Sequence, residues 1–240
     1  IFVASKNKLY AKSGQVVVID IISYPGKHQP PIGKIIEILG YSNDPKVELN
    51  SILRKLETRI DFPFNVLMEA KKITPRLSEK DLKKRRDLTG WTTFTIDGET
   101  AKDFDDAISL ELTDIGFRLG VHIADVSHYV KKNSALDNEA FKRGTSIYFP
   151  SSVIPMLPFE LSNDICSLKP NLKRLTVTAL IDFDQKGNII SSEFFNSIIK
   201  SCARFTYNEV AHLLSKGDTE KKYTTVIDIL KNMRQLSKIL

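Results

Sequence analysis

The sequence predicts an α+β protein: a partial β domain, a helical linker, then a mixed or antiparallel sheet carrying helices. Three observations carry that expectation. Apolar runs of strand length, bounded by proline and glycine, fill the first forty residues. Apolar residues then recur at helical spacing from Val47 to Ile60. Beyond Asp87, alternating strand patterns interleave with capped helix patterns. The expected segments are 1–42, 43–88 and 89–240.

In the first segment, Val16 to Ile22 forms an apolar run closed by Pro25-Gly26, and "PPIGKIIEILG" opens on a proline pair and closes on Gly40. Asp44-Pro45 is a helix start, because proline at the first helical position gives up no needed donor. A second short helix is expected after Pro63, and a third from Ser78 in "SEKDLKKRRD", whose polarity reads as a surface connector. "WTTFTID" is a strand of β-branched and aromatic residues. "DAISLEL" and "FRLGVHIADV" alternate and are joined by the hairpin turn "TDIG". "NSALDNEAFKRG" reads as a helix capped by Asn133 or Ser134 and ended by Gly144. "TSIYFP" is a short extended segment stopped by Pro150. A second hairpin joins "LTVTALIDFD" to "IISSEFFNSII", turning at Gln185 to Asn188. Thr206 and Glu209 make a capping box. Val226, Ile229, Leu230, Met233, Leu236 and Leu240 mark an amphipathic helix without a terminating signal. That open end, with Ile1 in place of Met, leads to the expectation of a piece cut from a longer chain.

Composition narrows the class. With 42% hydrophobic and 27% charged residues, the chain reads as a soluble globular protein. No apolar run approaches the roughly 18 residues of a membrane span, and no signal pattern opens the sequence. Cys166 and Cys202 lack both a disulfide framework and metal-ligand spacing, which leads to the expectation of reduced thiols in a cytoplasmic protein.

The chain's net charge is +6, yet "TIDGETAKDFDD" sets Asp97, Glu99, Asp103, Asp105 and Asp106 against Lys102 alone. This dozen therefore carries −4 and the rest of the chain +10. Most acidic runs are solvated patches. Three features argue otherwise here: the shortness of aspartate, the position at a strand end, and the interleaved Gly98, Ala101, Phe104 and Ala107. Crowded carboxylates need solvent or cations. Four aspartates can hold two Mg²⁺ ions roughly 4 Å apart, as phosphodiester cleavage uses them. An EF-hand loop is excluded: counted from Asp103, the sixth residue is Ile108 rather than Gly and the twelfth Asp114 rather than Glu.

"TIDGETAKDFDDAIS", "HIADVSHYV" and "RGTSIYFPSSVIPMLPFELSNDICSL", in that order and spacing, resemble the catalytic domain of the ribonuclease II/ribonuclease R (RNB) family, nearer its ribonuclease R branch. The N-terminal segment with "GKIIEILG" resembles the end of that family's second cold-shock (OB-type) domain. The resemblance implies a processive 3′→5′ exoribonuclease that hydrolyses single-stranded RNA to 5′-nucleoside monophosphates with Mg²⁺, one or two ions, Mn²⁺ substituting. By the same resemblance Asp97 and Asp106 hold Mg²⁺ at the scissile phosphate. Asp103 and Asp105 bind a second ion or position water, Asp105 being the most sensitive. Tyr148 lies beside the 3′-terminal nucleotide, and Tyr207 in "RFTYNEV" resembles a further aromatic contact to RNA.

Read without the resemblance, Tyr148 is a packed residue or a stacking platform. Arg143, Lys102, Lys169, Lys173 and Arg174 are candidates for a phosphate track, though each alone reads as a surface charge. His122 and His128 read as structural, because a two-metal hydrolysis needs no imidazole base. The family pattern runs past residue 240, through a later arginine and glutamate and a C-terminal S1 domain, and it begins earlier, with a first cold-shock domain. The piece alone is therefore expected to bind metal and RNA weakly and to cleave poorly; a monomer is expected. The alternative is a non-catalytic RNA-binding or regulatory remnant.

Overall fold

A computed structural model describes residues 1–27, 29–149, 152–217 and 223–240, with Lys80 by its backbone only. It divides the chain into two compact units, residues 1–61 and 62–240.

In the first unit, β1 (Gln15–Ser23) pairs antiparallel with β2 (Ile32–Tyr41). Helix α1 (Pro45–Lys55) follows, its first turn capped by the Asp44 side chain accepting from Lys46 N at 2.9 Å. The helix stops short of the expected Ile60. Glu57 takes φ +51°, which breaks the helical course, and Leu56 lies exposed.

The second unit opens with α2 (Phe64–Ala70), entered through Pro63, and α3 (Glu79–Lys83), started by a Ser78–Asp81 capping box. Of the stretch 43–88, α1 thus belongs to the first unit, and α2 and α3 to the second. The strands are β3 (Arg86–Asp87), β4 (Phe94–Asp97), β5 (Asp106–Thr113) and β6 (Gly116–Ala124), followed by α4 (Val126–Tyr129) and α5 (Ala135–Arg143). Ser134 caps α5, accepting from Asp137 N at 3.1 Å, and Gly144 ends it at φ +73°, a conformation glycine adopts without strain. Next come the hairpin β7 (Ile147–Phe149) and β8 (Ser152–Ile154), then a π-helical turn, Leu161–Ile165. Pro150, expected to stop β7, lies outside the described residues. The long hairpin β9 (Lys173–Asp184) and β10 (Ile189–Lys200) leads into β11 (Ala203–Thr206), α6 (Tyr207–Lys216) and α7 (Thr224–Ile239).

Seven strands form one mixed sheet in the order β11-β4-β5-β6-β9-β10-β3. Its outer pairs, β11/β4 and β10/β3, are parallel, and the four inner pairs are antiparallel. One face packs Phe94, Ile96, Ile108 and Phe205 against Leu213, Val226 and Leu230 of α6 and α7. The other packs Ala107, Ala124 and Ile199 against Val66 and Ala70 of α2, Leu136 of α5 and the Leu161–Leu168 segment. Among the described residues no helix is long and apolar enough to cross a membrane.

Buried polar groups follow the pleat. His122 is fully buried at the centre of the sheet, with Nε2 2.9 Å from Ser109 Oγ and Nδ1 2.8 Å from Thr178 Oγ1. Gly120 opposes Ser109 on the neighbouring strand and leaves the space in which the Ser109–His122 bond forms. Burial pushes the His122 imidazole down to about 4, so the ring is neutral.

Candidate active site

The topology gathers the acidic stretch at one end of the sheet. Because β4 and β5 run antiparallel, with Phe94 opposite Ile108, the last residue of β4 and the first of β5 lie at the same end. Those residues are Asp97 and Asp106, and loop 98–105 curls between them carrying Asp103 and Asp105. The parallel register of β11 with β4 sets Thr206 opposite Asp97. The exposed Tyr207 therefore follows at the start of α6, beside the same sheet end.

The carboxylates act on one another. Burial, then the charges of Asp103, Asp106 and Asp97, push the Asp105 carboxyl up to about 6, although part of this side chain still reaches solvent. Asp97 is raised above the ordinary range by burial, with the Thr95 hydroxyl and then Arg204 opposing and Asp106 and Asp103 adding to it. Asp97 Oδ2 is buried without a hydrogen-bond partner. A buried carboxylate oxygen that makes no hydrogen bond, amid like charges, suits a hard divalent cation. The four groups are coupled rather than closed: among the described residues, no three carboxylate, imidazole or thiol groups stand close enough to enclose an ion.

Tyr148 on β7 reaches this cluster, its hydroxyl donating to Asp103 Oδ2 at 2.8 Å while the ring stays 66% exposed. The Asp103 carboxylate raises the phenol's pKa, keeping it a donor. Between the loop and the β7–β8 hairpin lies a cavity of about 590 Å³, lined by Lys102, Asp103, Tyr148, Phe149, Phe159 and Asn163 among others.

Arg143, expected on the RNA face, turns inward instead. Its side chain is 3% exposed, bonded to Glu139 at 3.1 Å and to the Pro155 carbonyl at 3.2 Å, and it stacks 3.7 Å over the Phe62 ring. Arg174 is also interior, donating to the carbonyls of Ser167 and Asp164. Lys169 pairs with Asp164 at 2.8 Å. His128 sits between Asp81, 3.9 Å away, and the Tyr129 ring. Arg204 is a site residue that sequence reasoning missed: it donates to loop carbonyls and lies 5.5 Å from the Phe104 ring centroid. Its signal was faint, a single cation inside the short "ARFT" run.

The RNB domain family matches residues 85–240, and the cold shock domain family matches residues 1–63. A ribonuclease R of Thermotoga maritima is 45% identical over the whole chain, and one of Aquifex aeolicus is 41% identical. The chain spans 34% of the length of each. Among solved structures, Mycoplasma genitalium RNase R in complex with double-stranded RNA superposes with a TM-score of 0.92 at 32% identity, over 99% of this chain and 42% of that one. A yeast pseudonuclease shares the fold over 92% of this chain at 23% identity, with a TM-score of 0.67.

Proposed function

The chain belongs to the RNB family, and from that premise we propose that it forms part of a cytoplasmic 3′→5′ exoribonuclease of the ribonuclease R type, hydrolysing single-stranded RNA to 5′-nucleoside monophosphates. The observation that carries this reading is the acidic loop: four mutually raised or crowded aspartates at one sheet end, with Asp97 Oδ2 buried and unpartnered beside an exposed tyrosine.

Asp97 and Asp106, at the two strand ends, are the residues proposed to hold Mg²⁺ at the scissile phosphate, with Asp103 and Asp105 serving a second ion or orienting water. When bound, Mg²⁺ (or Mn²⁺) supplies the positive charge that stabilises phosphodiester hydrolysis. The protein's own part is geometric. The strand ends fix two carboxylates, and the hydrogen bond from Tyr148 orients Asp103. The exposed Tyr148 ring, facing the cavity with Lys102, is placed to receive the 3′-terminal nucleotide by stacking and by charge. Tyr207 is proposed as a second aromatic contact along the strand. Arg143 is withdrawn from that surface by its interior ion pair. No observation favours the non-catalytic alternative.

The test is Asp105→Asn in the natural full-length protein. The expected outcome is loss of Mg²⁺-dependent release of 5′-mononucleotides from an RNA 3′ end, with RNA binding retained. Unchanged cleavage would overturn the reading.

A further inference from the structure

Apart from a turn closed by Ala101 N donating to the Gly98 carbonyl at 3.1 Å, loop 98–105 is irregular and its carboxylates repel one another, so much of its course is set from outside. Asn208 Nδ2 donates to the Glu99 carboxylate at 2.8 Å and Ala124 N to the Asp105 carbonyl at 2.9 Å, and two further side chains bind the loop's backbone. Arg204, on β11, donates through Nη2 to the carbonyls of Gly98 at 2.5 Å and Glu99 at 3.2 Å. Ser167 is fully buried after the π-helical turn and brackets Asp103. Its hydroxyl accepts from Phe104 N at 3.1 Å and donates to the Lys102 carbonyl at 3.0 Å. Leu168 N adds a bond to the Phe104 carbonyl at 2.8 Å. Ser167 is itself held by Arg174, whose Nε donates to its carbonyl at 2.8 Å from the start of β9. Both anchors are thus rooted in strands of the same sheet that ends in Asp97 and Asp106. They bind backbone groups of residues 98, 99, 102 and 104 and leave the carboxylates themselves uncommitted.

We propose that Arg204 and Ser167 are positioning residues, a two-point clamp that holds the acidic loop curled against its own charge, so that its carboxylates stay gathered at one sheet end for a divalent cation to draw together. The inference rests on the metal-dependent reading above. Its physical content is preorganisation: outer partners fix the backbone that carries the ligands, so the cation does not have to order the loop as it binds.

Mn²⁺ binding to the full chain, followed by calorimetry and by loss of the free-ion paramagnetic resonance signal, tests it without recourse to activity. Ser167→Val and Arg204→Met are expected to weaken Mn²⁺ binding by roughly 10–100-fold, the cost typical of outer-shell changes. Ser167→Thr keeps the hydroxyl at the volume of valine and is expected to retain most of the affinity. Arg204→Lys keeps the charge but loses the forked donor, and is expected to fall between wild type and Arg204→Met. Arg204 is partly exposed, so its variants remain informative if the buried Ser167 changes impair folding. Unaltered Mn²⁺ affinity in Ser167→Val and Arg204→Met, with only thermal stability lowered, would overturn the clamp. Asp106→Asn, at a residue proposed to hold the ion itself, separates the two ideas. If it loses Mn²⁺ while the clamp variants bind normally, the clamp alone fails. If it too binds Mn²⁺ like wild type, the metal-dependent reading fails, and the clamp with it.

Discussion

Asp105 shows at the residue scale how a crowded carboxylate opposes the fold that carries it. Its carboxyl is pushed up to about 6 by burial and by Asp103, Asp106 and Asp97, against an ordinary value of 3.8. Between those values the folded chain binds more protons than the unfolded one, so this group's contribution to stability falls as pH rises from about 4 to 6 and stays unfavourable above. Asp105→Asn is therefore expected to stabilise the metal-free chain at pH 7 by on the order of 1 kcal/mol, discounted for partial solvent screening, and to blunt the stabilisation that added Mn²⁺ gives. Thermal melts with EDTA and with Mn²⁺ check both. His122 acts with the opposite sign. Burial lowers it from 6.5 to about 4, so the unfolded chain takes up the extra proton and stability is lost as pH falls through that window. The full effect is on the order of 3 kcal/mol. The two windows overlap, so urea titrations of wild type and Asp105→Asn from pH 7 to 4 are expected to diverge: the variant lacks the Asp105 compensation and loses more stability on acidification.

At the scale of elements, local signals were legible wherever one residue did a local job. Asp44 before Pro45, Ser134 with Gly144, and Thr206 with Glu209 all sit at helix ends where their capping chemistry placed them. Elements that exist through distant partners were not legible. Strand β11 has four residues and pairs with β4 more than a hundred positions earlier. Strand β3 has two residues and is held by β10. The same distance hid the buried cations. "KKRRD" reads as a solvated connector, yet Arg85 is nearly enclosed in an ion pair with Asp125 and donates to the Thr176 carbonyl at 3.2 Å. Breaking that pair by Arg85→Met strands a buried carboxylate and is expected to cost about 3–5 kcal/mol in urea unfolding. Gly120→Ala tests the sheet centre. A Cβ there would lie 2.4 Å from Ser109 Oγ and 2.9 Å from His122 Nε2, so the two partners must separate. The expected loss is about 1–3 kcal/mol, measured by denaturant midpoint.

For the whole molecule, the gathering of the four aspartates was legible because they fall within ten consecutive positions, Asp97 to Asp106, so one turn of chain brings them to one sheet end. Its supports were not, since Ser167 and Arg204 come from segments more than sixty residues further along the chain. Charge is unevenly distributed along the chain: a −4 loop lies within a chain of +6. On the proposed reading RNA, a polyanion, would be attracted by the net positive charge and repelled by the loop in the absence of cations. In EDTA, binding of a single-stranded oligoribonucleotide is expected to weaken as salt rises, with a log–log slope of about −0.7 per phosphate neutralised. Asp105→Asn removes one repelling charge. It is expected to bind RNA more tightly than wild type at low salt, and the gap should close as the Debye length falls from roughly 10 Å at 0.1 M to 3 Å at 1 M. Fluorescence anisotropy across a salt series measures both. Weaker RNA binding by Asp105→Asn in EDTA would mean that the carboxylate touches RNA directly, through a ribose hydroxyl or a base edge, and that the loop's charge serves recognition before it serves any cation.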